Sequence, residues 1–219
     1  MRLENRRRLD LRRNTMSDLV ENPERYFRQF VPKRSALLKE MEAEALVEDI
    51  PIVGPVVGEF LFILARIAGA EKILELGTAT GYSAIFLAGA FETAQGCLIT
   101  LENDPEMAER ARENFRRAGL DSQIDIRLGD AFEEMEKIAP PFDVIFMDID
   151  KVDYDAALPH CRRLLRKGGL LVADNVGFKE ADPFNRLIFE SLEWKSISLL
   201  SFLPFHSPEK DGLCLALRL

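Results

Sequence analysis

The chain lacks long apolar runs and has few cysteines, and both absences narrow its class. No uncharged apolar stretch approaches about 18 residues, so no membrane span is expected. The basic start is not followed by an apolar segment, which argues against a secretory signal. The three cysteines are widely spaced within apolar stretches, which favours reduced, buried thiols over a disulfide framework. These features predict a cytoplasmic protein, and 219 residues with 47% hydrophobic content suffice for one substantial core.

The charge is unevenly distributed along the chain, with an excess of acidic residues outside the N-terminus. Residues 1–14 contain six arginines against Glu4 and Asp10, a net charge of +4, whereas the whole chain carries −8 and the remainder therefore −12. An acidic body repels a phosphate backbone, which argues against broad nucleic-acid binding. We divide the chain into a basic arm, residues 1–16, and a single domain, residues 17–219. The arm is either a solvated, disordered tail or a contact for RNA or another acidic surface.

The pattern of apolar residues predicts an α/β domain. Periodic apolar residues in 17–48 indicate two amphipathic helices broken near Pro32, and a third helix ends at Gly69. From residue 71, strands alternate with helices, and Pro159 should break or restart one of those helices. The alternation predicts a Rossmann-like, mostly parallel seven-stranded sheet with a C-terminal antiparallel strand and extra N-terminal helices. The predicted strands are 72–76, 97–101, 124–128, 142–147, 170–173, 196–203 and 212–218.

A glycine-containing turn follows the first predicted strand. Its residues are Glu75-Leu76-Gly77-Thr78-Ala79-Thr80-Gly81. A strand that enters such a turn before a helix places backbone N–H groups beside a ligand. The spacing Gly-x-x-x-Gly lacks the middle glycine of dinucleotide-binding turns, which argues against NAD or FAD and hence against a nicotinamide oxidoreductase. Glu102 ends the next strand, where a carboxylate can accept hydrogen bonds from ribose hydroxyls. The turn and Glu102 together predict a nucleoside cofactor; tight strand–helix packing with an incidental Glu is the alternative.

Polar residues follow two later strands. Asp148 ends the fourth strand, and Asp174 with Asn175 ends the fifth. Three oxygen ligands without histidine or cysteine favour Mg²⁺, with Mn²⁺ or Ca²⁺ also suitable. Lys151 lies three residues after Asp148 and is a candidate base that takes a proton from a substrate hydroxyl. The alternative is that Asp174 and Asn175 cap a turn and that Lys151 is a solvated helix residue.

Several nearby polar residues have two interpretations. Asp150 either orients Lys151 or a water molecule, or caps the following helix. Asp153 and Tyr154 belong either to a substrate cleft or to a helix start. His160 and His206 have no acidic partner close in sequence, so we expect surface or packing roles for both.

These motifs resemble a known family. The segment from Glu75 through Tyr82-Ser83 resembles the first motif of class I S-adenosylmethionine methyltransferases. More narrowly, the chain from about residue 30 resembles the catechol and caffeoyl-CoA O-methyltransferase family. Further motifs that carry the resemblance are Ile50-Pro51-Ile52, Leu101-Glu102, Gly129-Asp130-Ala131, residues 142–148, residues 170–175 and Asp211-Gly212.

The resemblance implies S-adenosylmethionine as cofactor, a divalent metal and a homodimer. Two sets of residues are implied to bind them. In the cofactor set, the methionine end is lined by Glu75, Gly77, Tyr82 and Ser83. Glu102 holds the ribose, and Asp130 with Ala131 flanks the adenine. Asp148 also belongs to this set. The metal set is Asp148, Asp174 and Asn175, and the implied base is Lys151.

The acceptor stays open between two classes that offer neighbouring oxygens. One is a small catechol or caffeoyl-type phenol. The other is 5-hydroxyuridine in tRNA, since the stretch from residues 30–34 through Met41-Glu42 and Ile50-Pro51-Ile52 resembles bacterial members associated with that modification. The arginine arm favours an RNA acceptor, whereas the acidic charge of the rest of the chain opposes it. The segment between Asn175 and Trp194 is shorter than in many family members and residues 205–210 are longer than expected, so no particular phenol is assigned. A cofactor-binding protein without activity is a remote alternative.

Overall fold

The computed structural model describes residues 20–219, and the predicted basic arm of residues 1–16 lies outside them. The described chain divides between Val31 and Pro32 into two compact units. In the first unit, helix α1 (Pro23–Phe27) continues into a 3₁₀ turn at Arg28–Phe30. The side chain of Asn22 caps α1 by accepting a hydrogen bond from the Arg25 backbone N–H at 2.9 Å.

The second unit contains a seven-stranded sheet with helices. The strands are β1 Lys72–Leu76, β2 Cys97–Glu102, β3 Ile124–Leu128, β4 Phe142–Met147, β5 Leu165–Ala173, β6 Trp194–Phe202 and β7 Lys210–Arg218. The helices are α2 Ala36–Glu48, α3 Gly54–Ile67, α4 Tyr82–Gly89, α5 Pro105–Ala118, α6 Ala131–Lys137, α7 Tyr154–Leu164 and α8 Asp182–Glu190.

The sheet has the predicted direction pattern. Its strand order is β3-β2-β1-β4-β5-β7-β6. The pairs from β3 to β5 are parallel, whereas β7 runs antiparallel to both of its neighbours. Strands β1 and β4 are almost entirely buried, as expected for a parallel sheet covered by helices on both faces. The α/β Rossmann-like fold is therefore confirmed.

Local signals explain where α5 begins and ends. Asp104 Oδ1 accepts hydrogen bonds from the backbone N–H groups of Glu106 at 2.7 Å and Met107 at 3.2 Å. Pro105 occupies the first turn, where its missing N–H has no helical partner, and Gly119 ends the helix in a left-handed conformation. The caps predicted for this helix are confirmed.

Two sequence predictions are wrong. Pro159 does not break a helix, because it lies inside α7. It removes one backbone N–H, but Leu158, Cys161 and Leu164 keep the buried face of α7 packed into the core. Strand β5 begins at Leu165, five residues before the predicted start. In this early part, Leu165 pairs with Phe142, and the register of the two strands is irregular after that pair. The apolar pattern did not predict the early start, because Gly168 and Gly169 interrupt it.

The strand order also positions the site. In open parallel sheets, ligands bind beyond the carboxyl ends of the strands where the order reverses. Here the reversal lies between β1, which leads to β2 and β3, and β4, which leads to β5. Within residues 20–219, no helix is long and apolar enough to span a membrane.

Candidate active site

A cleft of about 340 Å³ opens at the carboxyl ends of the parallel strands. It contains every predicted site residue except Glu75, which is fully buried on β1. The lining comes from residues 51–53, 77–80, 82–83, 101–103, 129–132, 148–151, 153, 174–175 and 206–207. Segments that are distant in sequence thus line one cleft, as expected when the carboxyl ends of parallel strands lie at the same edge of the sheet.

Gly77 allows two strand ends to approach each other. Its φ is +93°, and a Cβ atom at this position would lie 2.2 Å from the carbonyl oxygen of Asp148. No side chain fits this contact, because the opposing atom is backbone. The glycine therefore brings the turn after β1 against the end of β4, which places the predicted cofactor turn beside the predicted metal ligands.

Glu75 has one bonded and one unbonded carboxylate oxygen. Oε2 accepts a hydrogen bond from Thr100 Oγ1 at 2.5 Å, and the Thr100 hydroxyl lies 2.5 Å from Thr78 Oγ1. Oε1 is buried without a hydrogen-bond partner in the described structure. Burial raises the pKa of Glu75 to about 8, although Thr100 and Ser83 offset part of the rise. A buried oxygen with no partner suits a cationic group of a ligand.

Glu102 braces two turns with its carboxylate. Oε2 accepts hydrogen bonds from the backbone N–H groups of Thr78 at 3.2 Å and Ala79 at 2.7 Å. Oε1 accepts from Asn103 and Asp104, each at 2.9 Å. These four bonds use the roughly four lone-pair sites of a carboxylate, so a ribose hydroxyl has to share or replace one of them.

Asp130 lines the cleft just beyond the end of β3, the strand next to the one that ends at Glu102. Its Oδ1 accepts hydrogen bonds from the backbone N–H groups of Phe132 and Glu133, both at 3.0 Å, and so caps α6. Ala131 is the first residue of α6 and also lines the cleft. The assignment of both residues to the adenine stays a prediction.

Lys151 is paired with Asp148 in the cleft. Its Nζ donates a hydrogen bond to Asp148 Oδ1 at 3.0 Å. Burial and the negative charge of Asp174 raise the pKa of Asp148, while Lys151 partly offsets this effect. Two carboxylates that repel each other beside a cleft are a favourable setting for a cation.

Tyr154 connects the ends of β4 and β5. It is fully buried, and its hydroxyl donates to the carbonyl oxygen of Asp174 at 3.0 Å, with that of Met147 at 3.3 Å. It starts α7, so the interpretation of Tyr154 as a helix start is correct. Asp150 precedes the 3₁₀ turn Lys151–Asp153 at the capping position, but its side chain makes no capping bond. Asp150 and Asp153 both line the cleft.

Of the surface and packing positions expected for His206, the structure shows a buried one, in contact with a predicted metal ligand. Its side chain is 1% exposed, and Nε2 lies 3.0 and 2.9 Å from the two carboxylate oxygens of Asp174. Burial by itself lowers the pKa of His206, but the hydrogen bond and charge of Asp174 raise it overall. The partner is 32 residues away, so no local sequence signal indicated the contact. His160 has an acidic partner too, Glu136 at 3.0 Å, but this pair lies on the partly exposed face of α7.

Asp211 holds Asn175 in place. Its Oδ2 accepts a hydrogen bond from Asn175 Nδ2 at 2.6 Å, and Oδ1 accepts from the Gly177 backbone N–H at 3.2 Å. Asn175 itself has a φ of +50°, which asparagine tolerates better than most residues. The Asp211-Gly212 motif was part of the family resemblance, but the sequence did not indicate that Asp211 contacts Asn175.

A second network joins α2 to the cofactor turn. The Tyr82 hydroxyl donates to Glu42 Oε1 at 2.7 Å, and Arg34 forms a two-pronged ion pair with the same carboxylate. The Arg34 guanidinium also lies 5.4 Å from the centre of the Phe205 ring. Arg34 therefore links the segment at residues 203–209 to the start of α4.

The donor set fits a divalent cation. Among residues 20–219, no three His, Cys, Asp or Glu side chains converge as a metal cluster, so the set requires the amide oxygen of Asn175. Because Asn175 Nδ2 is engaged by Asp211, the amide oxygen is left for a ligand role. Asp148, Asp174 and Asn175 supply the hard oxygen atoms that such an ion binds.

Comparisons with known proteins identify the family of the chain. The O-methyltransferase family model matches residues 32–181. A catechol O-methyltransferase of Niastella koreensis is 48% identical over 128 residues, 57% of this chain and 58% of that protein. A catechol O-methyltransferase of Mycobacterium tuberculosis is 41% identical over 121 residues, 54% of each chain. The matches thus span little more than half the length of these curated relatives.

A solved structure extends the likeness over the fold. The O-methyltransferase from Bacillus cereus, solved in complex with SAH, superposes with a TM-score of 0.81 and 28% identity. The superposition covers 90% of this chain and 97% of that one. The family match and the shared fold together lead to one assignment: the chain belongs to the O-methyltransferase family.

Proposed function

We propose that the chain is a divalent-metal-dependent O-methyltransferase that moves the methyl group of S-adenosylmethionine to one of two neighbouring oxygens on a catechol or caffeoyl-type phenol. The observation that carries the proposal is one cleft that joins a glycine turn above the unpaired Glu75 carboxylate oxygen to Asp148, Lys151 and Asp174. The names of the catechol O-methyltransferase relatives and the SAH-bound Bacillus cereus structure support the reaction class.

The cofactor would bind along the turn after β1. When bound, S-adenosylmethionine supplies a sulfonium methyl group and leaves as a neutral thioether, so the cleft needs no acid for the leaving group. Glu75 Oε1 is the natural partner for the ammonium of the methionine part, because it is buried and unpaired. Gly77 keeps the turn close to the end of β4, and Tyr82 with Ser83 begins the adjoining helix. Glu102 and the Asp130–Ala131 step would hold the ribose and adenine.

The metal would be held by Asp148, Asp174 and Asn175. When bound, Mg²⁺, Mn²⁺ or Ca²⁺ supplies positive charge that orients two acceptor oxygens and stabilises the negative charge on the one that reacts. The three residues come from two neighbouring strand ends, so a rigid sheet fixes their spacing. Tyr154 reinforces that spacing through the carbonyl oxygens of Met147 and Asp174.

Lys151 is the proposed base. Its Nζ lies 3.0 Å from Asp148 Oδ1, and the residue lines the cleft. As a free amine it would take the proton of the acceptor hydroxyl, and Asp148 would hold the resulting ammonium. The remaining contribution of the protein is alignment of the oxygen with the methyl group, which lowers a barrier by several kcal/mol in well-oriented reactions.

A tRNA acceptor is the second candidate. The observation that favours it is the arginine arm, whose net charge of +4 stands against −12 in the rest of the chain. 5-Hydroxyuridine offers a hydroxyl beside a carbonyl oxygen, which suits the same metal set. The two candidates differ in the acceptor and share the catalytic residues.

The test compares both acceptors with Lys151 variants. Transfer of labelled methyl groups to a catechol and to hydroxyuridine-containing tRNA is measured with Mg²⁺ and with EDTA. We expect metal-dependent labelling of the catechol, and a fall in turnover of about 100- to 10,000-fold in Lys151→Ala, with unchanged affinity for the cofactor by calorimetry. Lys137→Ala is the matched control, because Lys137 is exposed and paired with Glu134 on α6.

Each result has a distinct meaning. Labelling of tRNA alone would identify an RNA-modifying enzyme. Cofactor binding without labelling of either acceptor would favour a non-catalytic protein. Loss of cofactor binding in Lys151→Ala would count against its role as base, and EDTA-resistant transfer would contradict the metal site.

A further inference from the structure

Thr100 is a buried polar residue on β2 that lies directly opposite Glu75 on β1. The register of the parallel pair places the two residues side by side, and both are fully buried. Ile73 and Leu98, which precede them by two positions and share their face of the sheet, belong to the apolar core. A hydroxyl and a carboxyl group in such a layer are costly unless they form hydrogen bonds, so packing alone does not explain the pair.

Two threonine hydroxyls form a hydrogen-bonded chain that ends on Glu75. Thr100 Oγ1 lies 2.5 Å from Glu75 Oε2 and 2.5 Å from Thr78 Oγ1. Thr78 Oγ1 in turn lies 3.1 Å from the carbonyl oxygen of Leu101. Each hydroxyl has one proton to donate and can also accept. The chain therefore runs from a carboxylate oxygen on β1 to a backbone carbonyl oxygen on β2, through a residue of the turn after β1.

The chain can be completed in both ionisation states of Glu75. When Glu75 is ionised, Thr78 donates to Thr100, and Thr100 donates to Oε2. When Glu75 is neutral with its proton on Oε2, each donor reverses, so that Oε2 donates to Thr100, Thr100 to Thr78, and Thr78 to the Leu101 carbonyl oxygen. The threonines change state only by rotating their hydroxyl groups. Neither arrangement uses Oε1, which has no hydrogen-bond partner within residues 20–219.

We propose that Thr100 is a positioning residue for cofactor binding: its hydroxyl holds Glu75 Oε2 in both ionisation states and so leaves Oε1 for the ammonium group of S-adenosylmethionine. The inference rests on the proposed contact of Glu75 with that ammonium group and names the residue that fixes the carboxylate for it. Ser83 also favours the ionised form of Glu75 and lines the cleft, so the carboxylate lies next to the cleft wall. When the cofactor binds, the proton of neutral Glu75 passes to solvent and the two hydroxyls reverse.

Calorimetry with two ligands tests the role of Thr100 without a measurement of turnover. S-adenosylhomocysteine has the ammonium group, whereas 5′-methylthioadenosine has the same adenosine and sulfur but lacks the amino-acid part. Thr100→Val removes the hydroxyl and nearly keeps the shape, and Thr78 can still donate to the Leu101 carbonyl oxygen. We expect the affinity for S-adenosylhomocysteine to fall by about 10- to 100-fold, as for a lost hydrogen bond to a charged group. The affinity for 5′-methylthioadenosine should not change.

Two further variants are the controls. Thr100→Ser keeps the hydroxyl and should restore the affinity for S-adenosylhomocysteine. Thr93→Val removes a hydroxyl from an exposed turn, where Thr93 Oγ1 accepts a hydrogen bond from the Gln95 backbone N–H at 3.3 Å, and should change neither affinity. Equal losses for both ligands in Thr100→Val would mean that Thr100 only supports the fold, and would overturn the inference. Unchanged binding of S-adenosylhomocysteine would overturn it too.

Infrared difference spectra of the wild type give a readout that needs no variant of Thr100, in case Thr100→Val does not fold. Neutral Glu75 in the cofactor-free protein should show the C=O band of a carbonyl group that accepts no hydrogen bond. The band should disappear with S-adenosylhomocysteine and remain with 5′-methylthioadenosine, and its absence in Glu75→Gln identifies it. A band typical of a hydrogen-bonded carbonyl would show that Oε1 is not left for a ligand, and would overturn the inference.

Glu75→Gln separates this inference from the proposed function. If Glu75→Gln binds S-adenosylhomocysteine as tightly as the wild type, the proposed contact of Glu75 with the ammonium group is wrong, and the inference about Thr100 is wrong with it. If Glu75→Gln loses affinity and Thr100→Val does not, only the role of Thr100 is overturned.

Discussion

Glu75 is fully buried and has one carboxylate oxygen without a hydrogen-bond partner, so we expect its ionisation to change when the cofactor binds. Its pKa is raised to about 8, mainly by burial, so the carboxyl group is largely protonated at pH 7 in the cofactor-free protein. An ammonium ligand at Oε1 would favour the ionised form. We therefore expect cofactor binding at pH 7 to release close to one proton, measured by calorimetry in buffers of different ionisation enthalpy.

The control for this prediction is Glu75→Gln. The amide has no proton to release, so release should vanish and affinity should fall, by about 10-fold or more for a buried charge-assisted bond. Proton release that is unchanged in Glu75→Gln would show that another group is its source. A wild type that binds the cofactor without proton release would contradict the raised pKa.

The same residue predicts how stability depends on pH. The pKa of folded Glu75, about 8, lies above its ordinary value of 4.5, so the folded state holds the proton more tightly than the unfolded state. This contribution to stability is fully present below pH 4.5 and is lost as pH rises through about 8. Glu75→Gln should remove that contribution. The difference in unfolding free energy between wild type and variant, measured in urea without cofactor, should shift in favour of the variant from about pH 6 to about pH 9.

At the scale of elements, Gly77 determines how closely the ends of β1 and β4 approach. Gly77→Ala places a methyl group 2.2 Å from the Asp148 carbonyl oxygen at a φ of +93°. Backbone cannot move aside as a side chain does, so we expect a cost of several kcal/mol in unfolding free energy, above the roughly 1–2 kcal/mol for a left-handed conformation by itself. Urea unfolding measures the difference.

Gly69→Ala is the matched control for Gly77→Ala. Gly69 also has a positive φ, +58°, but a Cβ atom added there would have no heavy atom within 4 Å. It should therefore show the conformational cost without the clash. Similar losses in the two variants would mean that the contact between the ends of β1 and β4 is not what requires the glycine at position 77.

At the scale of the whole molecule, the arm and the rest of the chain carry net charges of opposite sign. Deleting residues 1–14 removes a net charge of +4 from a chain of −8. If the acceptor is tRNA, this deletion should raise KM for tRNA and reduce its salt dependence, because fewer phosphates are neutralised. Methylation of a small phenol should be unaffected.

A variant that keeps the length of the arm distinguishes the effect of its charge from the effect of its length. Replacing the six arginines with glutamine should reproduce the effect of the deletion on tRNA. Equal effects of either change on tRNA and on the phenol would discount the arm as an RNA contact. Steady-state kinetics with both acceptors at two salt concentrations are sufficient for the comparison.

Much of the architecture was predictable because its signals are local. Strands β1, β3 and β4 have the predicted bounds, and the caps of α5 at Asp104 and Gly119 act over only a few residues. The parallel order then brings the ends of β1, β2, β4 and β5 to one edge. Site residues such as Asp148 and Asp174 could be grouped in advance for that reason, although their roles stay predictions.

Other features depend on contacts between distant parts of the chain. The pairing of Asp174 with His206 spans 32 residues, that of Asn175 with Asp211 spans 36, and that of Glu42 with Tyr82 spans 40. Apolar periodicity and capping signals describe a residue's own helix or strand and carry no information about such partners. Local patterns in the chain were therefore enough for the fold class and the chemistry of the strand ends. The raised pKa of Glu75, the hydrogen bonds of Glu102 and the place of His206 required the folded protein, because burial and hydrogen-bond partners arise only when distant segments pack together.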